Sequence, residues 1–311
     1  MNIIGPDTLV FGVDDVVLCE QFLTDYGLKA VGNGRFEALD GTGVELKHCK
    51  DPSLPAWDLP TANMLRKTVY GVKDASVLQQ IKQEFEGERE VKTLADGSLE
   101  LVDDLGFALG FQVTVRKPLD LPAEVVNAPG DVRRPANVTG VPSDVATLID
   151  ARPRSLSHVV FFVPDIEKAE AFYTNRLGFK LTDKFVGMGP FLRPAGTFEH
   201  HTLFFIQTPP HLQGCEHFTF HMGGPTEVLS AGTALVEKGY ETFWGPGRHR
   251  FGSNWFWYFN TPMGCHIEYD ADMDQHDDNW EPRIAPGIMD NSQVFLFHWR
   301  EQWAPGGERP Q

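Results

Sequence analysis

Residues 157–179 have the sequence SHVVFFVPDIEKAEAFYTNRLGF, which predicts a strand followed by a helix. Residues 157–163 form an apolar, strand-like run. Pro164 and Asp165 indicate a helix start, because proline suits the first turn and an aspartate side chain accepts from its free N–H groups. Apolar residues at spacings of three and four follow, and Gly178 indicates the end of the helix.

The same pattern occurs near the N-terminus. A shift of 151 residues places Asp165 on Asp14 and Gly178 on Gly27 without a gap. Each of these segments is followed by hairpin-like runs and then by a second strand and helix. Such internal repetition predicts a duplicated architecture. We therefore expect an α+β fold of four βαβββ modules in two tandem halves, each half a curved mixed sheet that closes around a pocket.

Composition narrows the possible partners. The chain has 311 residues, with 27 basic and 43 acidic side chains and a net charge of −16. This balance argues against nucleic acid or an anionic membrane surface as a partner. The four cysteines form no CxxC pair, and no apolar run is long enough to span a membrane. We expect reduced cysteines, no signal peptide and a cytoplasmic location.

Three strand-like runs each carry a candidate metal ligand: His158 in SHVVFFV, His217 in CEHFTFHM and Glu268 in CHIEYDAD. Two histidines and one carboxylate on one face of a metal leave adjacent positions open, as in non-haem Fe(II) sites that bind substrate and O₂. Each histidine alone is more typical of a hydrogen-bonded structural residue. If the strand register differs, His221 or His266 is the alternative ligand.

The repeat predicts that only one half binds metal. The three ligand positions fall on Asp7, Arg66 and Gly110 in the N-terminal half, a set that does not suit a divalent cation. The expected organisation is an N-terminal, metal-free pair of modules (1–115), a connector (116–155), a C-terminal catalytic pair (156–272) and a C-terminal extension packing on that domain (273–311).

The C-terminal half resembles the type I extradiol ring-cleaving dioxygenases of the vicinal oxygen chelate (glyoxalase/bleomycin resistance protein) superfamily. The matching segments are the His158 strand, EHHTLFFI, EHFTF and GRHRFGSNWFWYFNTPMGCHIEYD, the last being the most specific. The close match covers roughly residues 155 to 272. The N-terminal half matches by module pattern alone.

The resemblance implies Fe(II), occasionally Mn(II), held by His158, His217 and Glu268. It also implies that His201 is an acid/base residue near the metal and that His249 and Tyr258 bind substrate. The implied reaction is O₂-dependent cleavage of a catecholic aromatic compound in aromatic degradation, by an enzyme that is a homo-oligomer.

The loop after His249 departs from the family pattern. Where the family often has a polar run, this chain has Arg250-Phe251-Gly252, so the substrate preference is expected to differ. The aromatic residues considered for the substrate slot are Phe191, Phe198, Phe256 and Trp257.

Strand alternation gives two further expectations. For Tyr258 and Glu268 to face one pocket, the loop between their strands must contain an odd number of residues. An example is a loop of three residues at 261–263 with Gly264 in a left-handed conformation. His200, next to His201, is expected to point to the opposite face, as a solvent-facing or supporting histidine.

Two segments near the chain's less regular regions also carry predictions. A short helix is expected near residues 143–148. Residues 292–303, SQVFLFHWREQW, are expected to form a strand or a helix, and the spacing of Trp299 and Trp303 favours the helix.

Two other functions fit the same fold. One is a glyoxalase-, epimerase- or hydrolase-like enzyme that uses an oxygen-chelating metal without O₂. The other is a non-catalytic protein that binds a small molecule. The sequence has no P-loop, Rossmann glycine fingerprint, GxSxG or HExxH motif, so nucleotide, hydride, serine-hydrolase and zincin chemistry lack support.

Overall fold

The computed structural model describes residues 1–56, 64–144 and 149–297. The N-terminal half contributes eight strands and two helices to this part of the chain. These elements are β1 (Ile3–Val13), α1 (Val16–Tyr26), β2 (Lys29–Gly32), β3 (Arg35–Glu37), β4 (Gly43–His48), β5 (Leu65–Val72), α2 (Ala75–Phe85), β6 (Lys92–Thr93), β7 (Leu99–Val102) and β8 (Ala108–Val113).

The C-terminal half repeats this order and adds elements at its end. Its elements are β9 (Ser155–Val163), α3 (Ile166–Ala171) with a π-helical turn (Phe172–Arg176), β10 (Phe179–Val186), β11 (Gly189–Pro194), β12 (Leu203–Gln207), a 3₁₀ turn (Pro210–Leu212), β13 (Gly214–His221), α4 (Pro225–Glu237), β14 (Thr242–His249), β15 (Trp255–Asn260), β16 (His266–Ala271), β17 (Arg283–Pro286), α5 (Met289–Ser292) and β18 (Gln293–Leu296).

The strands form two mixed sheets, one in each half. The first has the order β2-β3-β4-β1-β5-β8-β7-β6, and the second has the order β17-β10-β11-β12-β9-β13-β16-β15-β14-β18. In both sheets the first strand of the half pairs in parallel with the last strand of its own module. It also pairs antiparallel with the first strand of the next module. The predicted α+β fold of four βαβββ modules is confirmed.

Equivalent positions in the two halves are not always separated by the predicted 151 residues, because part of the repeat is offset by 150 residues. The N-caps of α1 and α3 are Asp15 and Asp165, which are 150 residues apart. The glycines that end the two helices, Gly27 and Gly178, are 151 residues apart and both have positive φ. The π-helical turn accounts for the difference, because such a turn holds one extra residue. The predicted pairing of Asp165 with Asp14 is therefore wrong by one position.

The two halves share one apolar core. Phe11 of β1 contacts Phe218 of β13, with ring centroids 5.4 Å apart. Tyr26 at the end of α1 stacks on Tyr269 of β16 with centroids 4.0 Å apart. The faces of the sheets that carry these rings are buried against each other, which leaves the opposite face of each sheet to line a cavity.

The C-terminal extension adds a strand to each edge of the second sheet. β17 pairs with β10 at one edge, and β18 pairs with β14 at the other. Residues 287–292 therefore pass from one edge to the other. The helix predicted from Trp299 and Trp303 lies outside the described residues.

The connector has little regular structure in its described part. Residues 114–144 and 149–154 contain an isolated bridge between Ala128 and Asp131 but no helix or longer strand. Most of the helix predicted near residues 143–148 lies outside the described part of the chain. Among the described helices, none is long and apolar enough to cross a membrane.

Candidate metal centre

The three predicted ligands lie on neighbouring strands of the second sheet. His158 is on β9, His217 on β13 and Glu268 on β16, and all three are buried. His158 Nε2 is 3.1 Å from Glu268 Oε2. His217 Nε2 is 3.4 Å from His158 Nε2 and 3.5 Å from Glu268 Oε2. The structure thus brings together the three side chains that the sequence singled out.

These separations fit a single metal ion. A triangle with these sides has a circumscribed radius of about 1.9 Å, so an ion at the usual distance of about 2.1 Å from nitrogen and oxygen ligands touches all three atoms from one side of their plane. Ligands grouped on one side leave the opposite coordination positions open to other molecules.

Neighbouring groups orient both histidines. His158 Nδ1 is 2.8 Å from Ser157 Oγ. His217 Nδ1 hydrogen-bonds to the Glu216 carboxylate, which accepts only, so this nitrogen carries the proton. In each ring Nε2 is then the nitrogen that faces Glu268. Partners of this kind fix the ring orientation of metal-binding histidines.

The charges of the site also suit a cation. Burial opposes ionisation of Glu268, but the adjacent rings of His158, His217 and His249 hold the pKa of its carboxyl well below the usual range. Burial also lowers the pKa of His158, which keeps that ring neutral. Burial opposes protonation of His217, yet the negative charges of Glu216 and Glu268 raise its pKa to about 9, so without a metal this ring carries a proton that a bound cation would displace.

Glu268 Oε1 is a further sign of an additional group. The atom is buried and has no hydrogen-bond partner among the described residues. A buried carboxylate oxygen without a partner is costly. A cation bound by the triad would lie next to this carboxylate and offset that cost.

A cavity opens beside the triad, and its empty space, including the part open to solvent, is about 360 Å³. Its wall is mostly aromatic. The lining residues are His158, Val160, Phe185, Phe191, His201, Phe204, His217, His249, Phe251, Tyr258 and Ser292.

The three other residues implied by the resemblance line this cavity. The His201 ring lies 4.3 Å from the His158 ring, centroid to centroid. His249 Nε2 is 3.1 Å from the Tyr258 hydroxyl and 3.6 Å from Glu268 Oε1. A molecule in the cavity would therefore contact the triad and these polar groups together.

The aromatic wall differs from the sequence expectation. Phe191 lines the cavity, but the other three candidates do not. Phe198 is 59% exposed. Phe256 stacks behind His249, with ring centroids 4.1 Å apart. Trp257 points to the opposite face of β15, where its ring lies against Gly232 of helix α4.

The loop between β15 and β16 has an odd number of residues, as predicted. Tyr258 and Glu268 are direct cross-strand partners, so both face the cavity. Gly264 has φ 77°, as predicted. The loop is longer than suggested, because the last pair is Asn260 with His266, which leaves five residues between the strands.

The neighbouring histidines have other roles. His221 Nδ1 is 2.7 Å from Asp270 Oδ1, and His266 Nδ1 is 2.9 Å from Glu216 Oε1, so neither replaces a member of the triad. His200 is fully buried and hydrogen-bonds to His201. Of the two expectations for His200, the supporting histidine is confirmed and the solvent-facing one is wrong, because residues 200–202 are not in a regular strand and alternation does not apply there.

The N-terminal positions equivalent to the ligands are Thr8, Lys67 and Gly110, which line the cavity of that half. The predicted equivalents Asp7 and Arg66 are wrong by one residue, because the strands are related by 150 rather than 151 positions. The strand pairing shows this equivalence. Lys67 pairs with Val10 as His217 pairs with Val160, and Gly110 pairs with Val69 as Glu268 pairs with Thr219. A lysine ammonium with a threonine and a glycine is a poor ligand set for a cation, which supports the prediction of a metal-free N-terminal half.

Several further residues belong to the site. Thr219 lies two residues after His217 on β13, on the same face, and donates a hydrogen bond of 2.6 Å to Glu268 Oε2. Phe251 lines the cavity and stacks on Phe185, with centroids 4.7 Å apart. The departure from the family pattern in this loop therefore adds an aromatic ring to the wall. Phe204 and Ser292 carried no sequence signal.

The chain is similar to several known proteins. Residues 155–269 match the Glyoxalase/Bleomycin resistance protein/Dioxygenase superfamily. The chain is 33% identical over 153 residues to metapyrocatechase 2 of Cupriavidus necator, covering 49% of this chain and 45% of that protein. It is 28% identical over 290 residues to biphenyl-2,3-diol 1,2-dioxygenase of Paraburkholderia xenovorans, covering 90% and 91%. The predicted family resemblance is confirmed for residues 155–269.

A solved structure shows the same fold over nearly the whole chain. The Mn(II)-bound glyoxalase from Novosphingobium aromaticivorans has a TM-score of 0.72 at 21% identity, covering 94% of this chain and 90% of that one. At this level of identity the likeness concerns the fold alone.

Proposed function

We propose that the protein is an Fe(II)-dependent extradiol dioxygenase that opens the ring of a catecholic compound beside its two hydroxyls. The observation that carries this proposal is the buried triad of His158, His217 and Glu268 next to a small aromatic cavity. The relatives that are named metapyrocatechase and biphenyl-2,3-diol 1,2-dioxygenase support it.

The reaction is balanced without a further reductant. One catechol and one O₂ combine, the ring carbon–carbon bond adjacent to a hydroxylated carbon breaks, and both oxygen atoms remain in the product. A metal ion held by the triad would lower the pKa of a catechol hydroxyl and provide a position for O₂ beside it.

The cavity walls suit a flat aromatic ring. Phe191 and Phe204 stack with centroids 4.0 Å apart, and Phe185 and Phe251 form a second stacked pair. These rings offer apolar faces and exclude water. Exclusion of water strengthens the hydrogen bonds and charges that act on the substrate oxygens.

His201 is the candidate acid/base residue. Burial, with smaller contributions from neighbouring histidines, holds the pKa of His201 well below its usual range, so the ring is neutral near pH 7. A neutral imidazole has a lone pair that accepts a proton from a catechol hydroxyl and returns it later.

His249 and Tyr258 are the candidate groups that orient the substrate. Burial and the charge of Glu268 raise the pKa of Tyr258 well above its usual value, so its hydroxyl stays protonated and donates hydrogen bonds. Both side chains are held by the sheet, which fixes the direction of those bonds.

Oxygen consumption by anaerobically purified, Fe(II)-loaded protein tests the proposal. We expect uptake of O₂ with catechols and a yellow ring-opened product. His201→Asn should lower kcat by about 10²- to 10⁴-fold, the usual contribution of a general base. His211→Asn is the matched control, because His211 is an exposed histidine in the 3₁₀ turn outside the site.

Two other outcomes would favour the alternatives. Activity that depends on Zn, Ni or Co and proceeds without O₂ would indicate a glyoxalase-, epimerase- or hydrolase-like reaction. Binding of catechols without metal and without turnover would indicate a non-catalytic binding protein. Either result would contradict the dioxygenase proposal.

A further inference from the structure

A chain of hydrogen bonds leads from His201 away from the cavity. His201 Nδ1 is 2.9 Å from His200 Nδ1. His200 Nε2 is 2.7 Å from Asp183 Oδ2. All three side chains are buried, with Asp183 and His200 fully inaccessible. The second and third members of this chain contact neither the cavity nor the triad.

This chain of hydrogen bonds determines which nitrogen of each histidine carries the proton. Asp183 as a carboxylate has acceptors only, so the hydrogen between it and His200 belongs to His200 Nε2. A neutral His200 then presents a lone pair at Nδ1, and the hydrogen in the next bond belongs to His201 Nδ1. His201 Nε2, at the other end of the ring, is left with its lone pair. That nitrogen is the one available as a base.

Arg283 of the C-terminal extension holds the carboxylate in place. Its Nη2 is 2.6 Å from Asp183 Oδ2, while its backbone N–H and Nε both donate to Oδ1 at 2.8 and 3.1 Å. The guanidinium also lies over the Phe251 ring, 4.7 Å from its centroid. Asp183 and Arg283 are paired residues of strands β10 and β17.

The charge of Asp183 is consistent with this arrangement. Burial opposes its ionisation, but His200 and Arg283 outweigh burial and lower the pKa of the carboxyl below its usual value. Burial lowers the pKa of His200, which keeps that ring neutral between its two partners.

We propose that Asp183, acting through His200 and held by Arg283, is a positioning residue that sets the tautomer and orientation of His201. This inference rests on the proposed function, in which His201 is the acid/base residue. It extends the working site to a carboxylate and a guanidinium that touch neither substrate nor metal ligands.

Asp183→Asn tests the chain directly. The Arg283 backbone N–H is fixed by the pairing of β10 with β17 and keeps the amide oxygen at the Oδ1 position, whereas the Arg283 side chain, which donates to both carboxylate oxygens, can rotate away from Oδ2. The amide NH₂ then faces His200. A donor there forces His200 to accept at Nε2 and to carry its hydrogen on Nδ1. His201 must then accept at Nδ1 and carry its own hydrogen on Nε2, which is the wrong tautomer for a base.

The first readout is the ¹⁵N NMR spectrum of histidine-labelled, metal-free protein. In the wild type we expect a pyrrole-type shift for His201 Nδ1 and a pyridine-type shift for Nε2, with the signals assigned by their loss in His201→Asn. In Asp183→Asn the two types should exchange. Unchanged His201 shifts in a folded variant would overturn the proposal.

The second readout is kinetic, with metal content measured in the same samples. Asp183→Asn should lower kcat by about 10- to 10³-fold, somewhat less than the roughly 10²- to 10⁴-fold contribution of the general base itself, with KM changed less than about threefold. Asp103→Asn is the matched control, because Asp103 is a buried carboxylate of the N-terminal half that accepts from two backbone N–H groups. Equal kcat in Asp183→Asn and the wild type would contradict the inference.

A second variant keeps the test decisive if Asp183→Asn does not fold. His200→Asn leaves the Asp183–Arg283 pair intact but interrupts the chain, so it should reproduce the loss of kcat, and wild-type kcat would overturn the inference. Failure of the proposed function is distinguishable. A wild type that consumes no O₂ refutes the dioxygenase, while the tautomer comparison in metal-free protein still decides the role of Asp183.

Discussion

Removing one hydroxyl of the N-terminal half should weaken the strand that carries Glu268. The Tyr26 hydroxyl donates a buried hydrogen bond of 2.7 Å to the Glu268 backbone oxygen. The Tyr269 hydroxyl donates in return to the Tyr26 backbone oxygen at 2.6 Å. The two rings between these bonds are stacked almost in parallel, at 3°.

Tyr26→Phe keeps the stacked rings and removes a single bond. A typical hydrogen bond contributes about 1 kcal/mol net, and a buried acceptor left without its partner costs about 1–3 kcal/mol, so we expect the free energy of unfolding to fall by about 1–2 kcal/mol. Mn(II) affinity should also fall, because the strand that carries Glu268 is held less firmly.

Urea denaturation followed by fluorescence and circular dichroism measures this effect. Tyr240→Phe is the matched control, since the Tyr240 hydroxyl donates to Asp25 in a partly buried contact outside the site. A double-mutant cycle of Tyr26→Phe with Tyr269→Phe should give a coupling energy of about 0.5 kcal/mol or more. Stability and Mn(II) affinity equal to the wild type would refute the idea that the N-terminal half supports the ligand strand.

Five further outcomes are expected. Glu268→Gln should weaken Mn(II) binding by at least about 100-fold in calorimetry, and Glu216→Gln, which only loses support for a ligand, by about 10- to 100-fold. Mn(II) at 100 times its Kd should stabilise the protein by about 2.7 kcal/mol, an effect that a chelator reverses. Phe191→Ala should raise KM about 10-fold or more, because a buried phenyl contributes about 1.5–3 kcal/mol. Burial lowers the pKa of His200, so below about pH 6.5 the unfolded chain takes up a proton that the folded chain does not. The free energy of unfolding should therefore decrease as the pH is lowered below about 6.5. In His200→Asn this decrease should be less steep, by up to about 1.4 kcal/mol per pH unit.

Much of the site could be predicted because it lies on regular strands. His158, His217 and Glu268 each occupy a run whose alternation and length are visible in the sequence, and the repeat indicated which half differs. The parity of the hairpin around Gly264 followed from alternation alone.

The remaining parts depend on contacts between distant segments. Asp183 and Arg283 are paired although they are 100 residues apart, and neither carries a local signal. Ser292 reaches the cavity because the C-terminal extension crosses between two sheet edges. The π-helical turn inserted one residue that no periodicity revealed, and this shifted the predicted equivalents of the ligands.

The proposed ring cleavage can be tested by incubating the Fe(II)-loaded protein with catechol or biphenyl-2,3-diol under ¹⁸O₂ and analysing the product by mass spectrometry. We expect a yellow product opened beside the hydroxyls that contains both labelled oxygen atoms. A product opened between the hydroxyls, a product with one labelled atom or none, or no consumption of O₂ would contradict it.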